Sequence, residues 1–131
     1  MKESDVRNWF ARYLSTFAAM GHGESRPDEV VHYYGVPFLL TTDEVVLSLG
    51  TVDEVAAWLR TQAVAMATAG YDHTETLTSD VTILNRTTAV QRADLSRRRA
   101  DGTEINRMSV TYVITREPED FRISLLVVHT S

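Results

Sequence analysis

Cysteine is absent from this chain, and so is any long apolar run. The lack of cysteine excludes disulfides, thiolate metal sites, haem attachment and a cysteine nucleophile, and leaves the redox compartment unspecified. A membrane span requires about 18 consecutive apolar residues, and the opening sequence MKESDVRNWF lacks the apolar stretch of a signal peptide. We therefore expect no membrane partner, and the cytoplasm is the simplest compartment.

Positive charge is also scarce. The chain has 13 Lys and Arg against 18 Asp and Glu, for a net charge of −5. This balance disfavours a general nucleic-acid interface, and we expect no nucleic-acid partner. With 131 residues, 44% hydrophobic and 24% charged, the composition is that of one ordinary globular domain spanning residues 1–131.

Motifs for metals and cofactors are missing as well. The four histidines are scattered, and Asp72, His73 and Glu75 form the only acidic cluster near one of them, without a paired-histidine motif. Gly21-His22-Gly23 lacks the lysine and the strand-to-helix context of a phosphate-binding loop. We predict neither a metal site nor a cofactor.

Three helices are predicted in the first half of the chain. Apolar residues at steps of three and four predict an amphipathic helix from Asp5 to Met20. Pro27 to Tyr34 predicts a shorter helix, because proline is tolerated in a first turn. Thr51 and Glu54 form a capping box that begins a third helix, and Gly70 ends it.

The rest of the chain has the two-residue periodicity of strands. Val36–Leu40 and Val45–Leu49 predict two short strands. Four long antiparallel strands follow, over Tyr71–Asn85, Ala89–Arg99, Thr103–Thr115 and Phe121–Thr130. We expect an α+β fold, a cone-shaped curved sheet, antiparallel or mixed, of about six strands packed against three N-terminal helices.

This order of elements resembles the nuclear transport factor 2-like superfamily, especially its SnoaL-like branch. The motifs are Arg12-Tyr13 in the first helix, the hairpin from Arg97 to Thr103, and Phe121-Arg122-Ile123 at the start of the last strand. The resemblance implies a pocket between sheet and helices, and commonly a homodimer formed through the sheet. The superfamily contains ketosteroid isomerases, polyketide cyclases, dehydratases, epoxide hydrolases and non-enzymatic binding modules, so it narrows the architecture more than the chemistry.

Tyr13 occupies the position where the similar ketosteroid isomerases carry an oxyanion-stabilising tyrosine. Its phenol is either a hydrogen-bond donor to a developing enolate or a core residue whose hydroxyl reaches water. The acids that the resemblance implies are missing, because Leu40 or Thr41 lies near the aspartate base, with Asp43 only nearby, and Val110 lies at the second acid. The usual proton shuttle therefore has no obvious base.

Arg92-Ala93-Asp94 resembles the arginine-x-aspartate pair of limonene epoxide hydrolases, but the second acid of that site is lacking. If Leu95 faces inward, alternation turns Arg92 and Asp94 outward. We favour a cross-strand ion pair on the outer face of the sheet.

His129 is a second candidate for proton transfer. If Ile123, Leu125 and Val127 face inward, alternation carries His129 inward too, where its imidazole could act as a general acid or base. The alternatives are a frayed, solvent-facing terminal residue or a histidine satisfied in the core.

The resemblance places Val110 and Tyr112 on an inward face, with Gln91 on the next strand. Gln62 lies near Trp58 in the apolar stripe of the third helix and is another candidate for the pocket wall. Each polar group on such a face could orient a ligand, or could equally border solvent or satisfy a backbone group. The run Arg97-Arg98-Arg99 could recognise a phosphate or an acidic partner. At the tip of a hairpin, a solvated cluster that protects the strand end is the favoured interpretation.

These patterns predict binding of a small, largely apolar molecule in an interior pocket. Cofactor-independent acid/base chemistry of the isomerase, dehydratase or cyclase type would use Tyr13 to polarise an oxygen and His129 to move protons. The alternative is a non-catalytic dimeric binding or protein-interaction module, and the sequence leaves open whether the chain is an enzyme. An open cavity with convergent polar groups favours ligand binding, whereas a cavity filled by its own side chains favours an interaction module.

Overall fold

The computed structural model describes residues 1–118 and 120–129. The helices are α1 (Glu3–Gly21), α2 (Pro27–Val30), which continues into a 3₁₀ turn (Val31–Tyr33), and α3 (Val52–Ala69). The strands are β1 (Tyr34–Thr41), β2 (Val46–Leu49), β3 (Tyr71–Asn85), β4 (Thr88–Arg99), β5 (Glu104–Glu117) and β6 (Asp120–His129). The predicted end of the last strand, Thr130, lies outside the described residues. No helix in the described part of the chain is long and apolar enough to cross a membrane.

The six strands form one sheet in the order β2-β1-β6-β5-β4-β3. All neighbouring pairs are antiparallel except β1 and β6, which are parallel. The sheet is curved, mixed and not closed, and the helices cover its inner face. This arrangement confirms the expected α+β class and the four-stranded antiparallel meander.

Local signals position the third helix as predicted. The Thr51 hydroxyl accepts a hydrogen bond from the Glu54 backbone N–H at 3.1 Å, which satisfies a donor left free at the start of α3. Gly70 adopts a left-handed conformation with φ of +77°, which glycine tolerates without a steric penalty and which ends the helix. The second helix is shorter than predicted, because Tyr34 already belongs to β1.

The core lies between the helices and the inner face of the sheet. Helix α1 contributes the fully or nearly fully buried Val6, Trp9 and Phe10, at the three- and four-residue spacing of one helix stripe. Val55 and Leu59 of α3 are both 0% exposed and complete this layer. The two long helices therefore form one apolar layer above the sheet.

A β-bulge interrupts β6. The consecutive residues Val113 and Ile114 pair with Leu125 and Ile123, which leaves Ser124 without a partner in the ladder. The Ser124 hydroxyl instead lies 2.5 Å from the hydroxyl of Thr115. An extra residue of this kind shifts the alternation of the strand by one position.

The shift decides which residues of β6 face the helices. Leu126 and Val128 face inward, opposite the buried Tyr112 and Val110. The expectation that unbroken alternation carries His129 inward is therefore wrong, because His129 follows the bulge and faces outward.

Candidate functional site

A cavity of about 300 Å³ lies between α1, α3 and the inner face of the sheet. This volume is at the lower end of the range of about 300–1,000 Å³ that is typical of ligand pockets. Most of the cavity wall is apolar, with Leu40, Leu95, Val110, Leu126 and Val128 among its lining residues. The cavity is open to the surface of the protein.

Aromatic rings form the wall on the side of α1. Tyr13 and Tyr112 line the cavity, with ring centroids 5.8 Å apart, and Phe10 packs edge-on against Tyr112 at 4.9 Å. The Tyr13 hydroxyl lies 2.5 Å from that of Tyr34, deep in the core. The α1 face predicted from the sequence thus places Tyr13 in the cavity and also gives its hydroxyl a buried partner.

Burial determines the protonation of these phenols. Burial raises the pKa of Tyr13 and of Tyr112 well above the ordinary value of a tyrosine. Tyr34 raises the pKa of Tyr13 further, and Tyr13 raises that of Tyr112. Burial is also the main cause of the raised pKa of Tyr34. All three phenols are therefore neutral near pH 7 and serve as hydrogen-bonding groups rather than as bases.

A polar row crosses one end of the cavity. Thr74, Arg97 and Asn106 are cross-strand neighbours on β3, β4 and β5, and all three line the cavity. Gln62 of α3 and Thr42, which follows β1, add polar groups to the lining. The cavity therefore has convergent polar groups beside a largely apolar wall.

Arg97 is the functional candidate that the sequence analysis assigned to the wrong environment. It lines the cavity instead of joining a solvated cluster, and its guanidinium carbon lies 5.7 Å from the centre of the Phe17 ring. The signal was in the alternation of β4. Buried Gln91, Ala93 and Leu95 precede Arg97 on the same inner face.

The other two arginines of this run have partners outside the cavity. The Arg98 guanidinium donates to the Gly102 carbonyl at 2.9 Å, and the Arg99 guanidinium donates to the Ala69 carbonyl, also at 2.9 Å. The interpretation of the run as a solvated cluster that protects the strand end is wrong for Arg97, which lines the cavity, whereas Arg98 and Arg99 contact backbone carbonyls outside it.

The structure brings most of the predicted wall residues together. Tyr13, Trp58, Gln62, Val110 and Tyr112 all line the cavity. These five residues come from two helices and one strand, and the curved sheet with its helical cover places them around one space.

Gln91 is the exception among the predicted wall residues, because it is buried (1% exposed) but does not line the cavity. Its side-chain amide nitrogen donates to the Ser79 hydroxyl at 2.6 Å. Its side-chain oxygen is buried and has no hydrogen-bond partner among the described residues. Gln91 therefore belongs to the core beside β3 and not to the site.

His129 lies on the opposite face of the sheet. Its side chain is exposed, and its Nε2 atom lies 2.8 Å from the Thr111 hydroxyl. Arg92 and Asp94 share this outer face with it, which agrees with the alternation derived for Asp94. Thr78 and Ser109 both donate hydrogen bonds to Asp94, in place of the cross-strand ion pair that we favoured. None of these three groups can reach a ligand in the cavity.

The resemblance to ketosteroid isomerases implies acids at Leu40 or Thr41 and at Val110. Of these residues Leu40 and Val110 line the cavity, and both side chains are hydrocarbon. No Asp, Glu or His of residues 1–118 and 120–129 lines the cavity. Over the same residues, no group of three or more histidine and carboxylate side chains could hold a metal ion. The described site has neutral hydrogen-bonding groups and one cation, Arg97, as its polar equipment.

The sequence matches the family of NTF2-like proteins (DUF6841) over residues 2–131. The chain belongs to this family. No curated protein matches the sequence significantly. The family description states a fold and no activity, so membership identifies the architecture alone.

Solved structures agree with this assignment. A domain of unknown function with a cystatin-like fold from Nostoc punctiforme is 20% identical, with a TM-score of 0.72 over 98% of this chain and 76% of that chain. A putative calcium/calmodulin-dependent protein kinase II association domain from Xanthomonas campestris is 12% identical (TM-score 0.70, covering 100% and 89%). A putative ketosteroid isomerase from Parabacteroides distasonis is also 12% identical (TM-score 0.66, covering 89% and 80%). At these identities the similarity shows the NTF2-like fold of the chain.

Proposed function

We propose that this NTF2-like chain binds a small, largely apolar molecule in the cavity between α1, α3 and the inner face of the sheet. The observation that carries the proposal is the open cavity of about 300 Å³, with its apolar wall and its polar row at one end. Pockets that bind small molecules combine these two features, because apolar surface supplies affinity and a few polar groups orient the ligand.

The proposed function is binding rather than proton transfer. General acid/base catalysis needs a group that changes its protonation near neutral pH. The described lining has no carboxylate and no imidazole, and its phenols are kept neutral by burial. Tyr13 and Tyr112 remain suited to hydrogen bonding with a ligand oxygen, a role that holds the ligand without moving a proton.

A matched pair of valines tests the location of the binding site. Val128 faces the cavity, whereas Val127, one residue earlier, pairs with Thr111 on the outer face. The larger side chain introduced by Val128→Trp should fill the cavity. This variant should therefore not bind a neutral aromatic probe, 2-naphthamide, in isothermal titration calorimetry. Val127→Trp should bind the probe as the wild type does.

Two results would contradict the proposal. A wild-type protein that binds no neutral probe, and releases no small molecule on denaturation in mass spectrometry, has no such binding site. A folded Val128→Trp variant that binds as well as the wild type places the site elsewhere. His129→Ala serves as a further control, because the outward-facing imidazole should not affect binding.

We also propose a homodimer formed through the outer face of the sheet. Val90, Val113 and Leu125 are cross-strand neighbours on that face and are only half-buried in the single chain. Such an apolar row gains free energy when it is covered. Light scattering at tens of micromolar should give twice the chain mass of 14.7 kDa, and Val113→Arg should give a monomer. A wild type that is strictly monomeric at this concentration contradicts the dimer.

A further inference from the structure

The positive charge of Arg97 has no partner of opposite sign in the described structure. Ion pairs involve Arg7, Arg98, Arg107 and Arg122, but no carboxylate of residues 1–118 and 120–129 lies within 4.0 Å of the Arg97 guanidinium. Its guanidinium carbon lies over the Phe17 ring, 5.7 Å from the ring centre. A partly buried guanidinium in contact with an aromatic ring has lost part of its hydration and can gain an anionic partner favourably.

The groups beside Arg97 fit an anion. Asn106, its cross-strand neighbour on β5, can add an amide N–H to the same end of the cavity. The Thr74 hydroxyl, on the other side, lies 2.7 Å from that of Tyr71 and is fixed by that contact. No carboxylate lines the described cavity to repel a negative ligand.

The charge of Arg97 influences the pKa values of three buried tyrosines. Burial is the largest influence on the phenols of Tyr13, Tyr34 and Tyr112 and raises the pKa of each, while the Arg97 cation acts in the opposite direction and lowers all three pKa values. A positive potential that favours phenolate at these sites also favours an anionic ligand.

The sheet register shows which side chains lie next to Arg97 along the cavity wall. Side chains on one face of a strand are about 6.7 Å apart along it. The next inward row after Arg97 contains Leu95 and Met108, and the row after that contains Val110. A charged group at Arg97 therefore places one or two rings, or a chain of similar length, against apolar side chains.

We propose that the ligand of this cavity is an amphipathic monoanion, a carboxylate on an apolar body, and that Arg97 binds its carboxylate. The inference rests on the proposed binding function and adds the chemical class of the ligand. One cation in the described lining matches one negative charge. The planar fork of the guanidinium matches the two oxygens of a carboxylate.

Two probes with the same skeleton separate charge from shape. 2-Naphthoate carries a carboxylate where 2-naphthamide carries a neutral amide. In isothermal titration calorimetry at pH 7 and fixed salt, the wild type should bind the carboxylate about tenfold more tightly, or better, since charge-assisted hydrogen bonds are roughly twice as strong as neutral ones.

Substitutions on β4 assign the preference to one side chain. Arg97→Gln should remove the preference for the carboxylate and leave the affinity for the amide within about twofold, which also shows that the variant is folded. Arg97→Lys should keep part of the preference, because it retains the charge without the planar fork. Arg92→Gln, on the outer face of the same strand, removes the same charge and should retain the full preference.

Each contrary outcome has a separate meaning. If the wild type binds both probes equally, the ligand class is wrong and the proposed binding function stands. If the preference survives in Arg97→Gln, or disappears equally in Arg92→Gln, Arg97 is not the residue that binds the carboxylate. If neither probe binds, the proposed function fails, and this inference fails with it.

Discussion

Arg97 and Arg98 lie on opposite faces of the sheet and differ in their partners. Arg98 faces outward, where its guanidinium lies 3.6 Å from Glu75 and 3.7 Å from Glu104. Arg97, its neighbour in the chain, faces the cavity and has no carboxylate of the described residues within ion-pair distance. The two side chains are chemically identical and adjacent in the chain, but only Arg98 has carboxylates beside it. A compensated charge stabilises a surface locally, whereas an uncompensated one remains available to a ligand.

Two carboxylates of the outer face, Asp94 and Glu104, also have close partners. Ser109 and Thr78 both donate hydrogen bonds to Asp94, and these bonds lower the pKa of its carboxyl group. Ser96 donates to the carboxylate of Glu104, which also pairs with Arg107. These two carboxylates of the outer face thus have partners within the sheet, whereas the Arg97 cation of the inner face has none among the described residues.

The largest expected difference between the two faces is the stability that is lost when a side chain is truncated to alanine. Ile114→Ala removes a side chain that is 0% exposed on the inner face and should lower the free energy of unfolding by about 2–5 kcal/mol. Val127→Ala, on the outer face of the neighbouring strand, should cost less than about 1.5 kcal/mol. Urea denaturation of both variants measures the difference. Equal losses would contradict the assignment of the two residues to opposite faces.

Alkaline pH should lower the stability of the fold through the buried phenols on the inner side of the sheet. The pKa values of Tyr13 and Tyr112 are raised mainly by burial, so these phenols lose their protons more readily in the unfolded chain. Their contribution to stability is fully present below the unfolded pKa of about 10 and decreases as the pH rises toward the folded value, by about 1.4 kcal/mol per pH unit for each phenol.

The measurement is the free energy of unfolding between pH 8 and about 11.5. The double variant Tyr13→Phe/Tyr112→Phe should lose less stability over this range than the wild type, whatever its stability at pH 8. Parallel pH profiles for the two proteins would show that these phenols are not buried in their neutral form.

The smallest expected effect is a gain in stability from replacing a buried polar side chain. Gln91 is 1% exposed, and its side-chain oxygen has no hydrogen-bond partner among the described residues. Gln91→Met removes this buried polar group, while the exposed Ser79 can replace the lost hydrogen bond with water. Thermal denaturation should show an unchanged protein or one stabilised by up to about 1 kcal/mol. A loss above about 1 kcal/mol would show that the amide is satisfied in the folded protein.

Local patterns were sufficient to predict most of the elements. The capping box at Thr51 and the glycine at position 70 delimit α3, because both act through neighbouring backbone groups. The inward direction of Ala93 and Leu95 followed from alternation along an unbroken part of β4. The predictions that failed did so for different reasons.

Two of the predictions that failed concern His129 and Arg97. The bulge at Ser124 reverses the alternation of β6, and no local signal in Phe121-Arg122-Ile123 marks it. Arg97 did obey the alternation of its strand, but its neighbours Arg98 and Arg99 resembled a solvated cluster. The local charge pattern concealed that one member of the run faces the helices.

The sequence by itself determined the α+β class, the order of the elements and the inner face of β4, since these depend on periodicity, capping and turn chemistry. Only the tertiary structure decided that the inner face encloses an open cavity, that His129 lies outside it and that Arg97 lies within it without a described counter-ion. The physical reason is that cavity volume and charge compensation depend on sheet curvature, strand register and side chains brought together from distant parts of the chain.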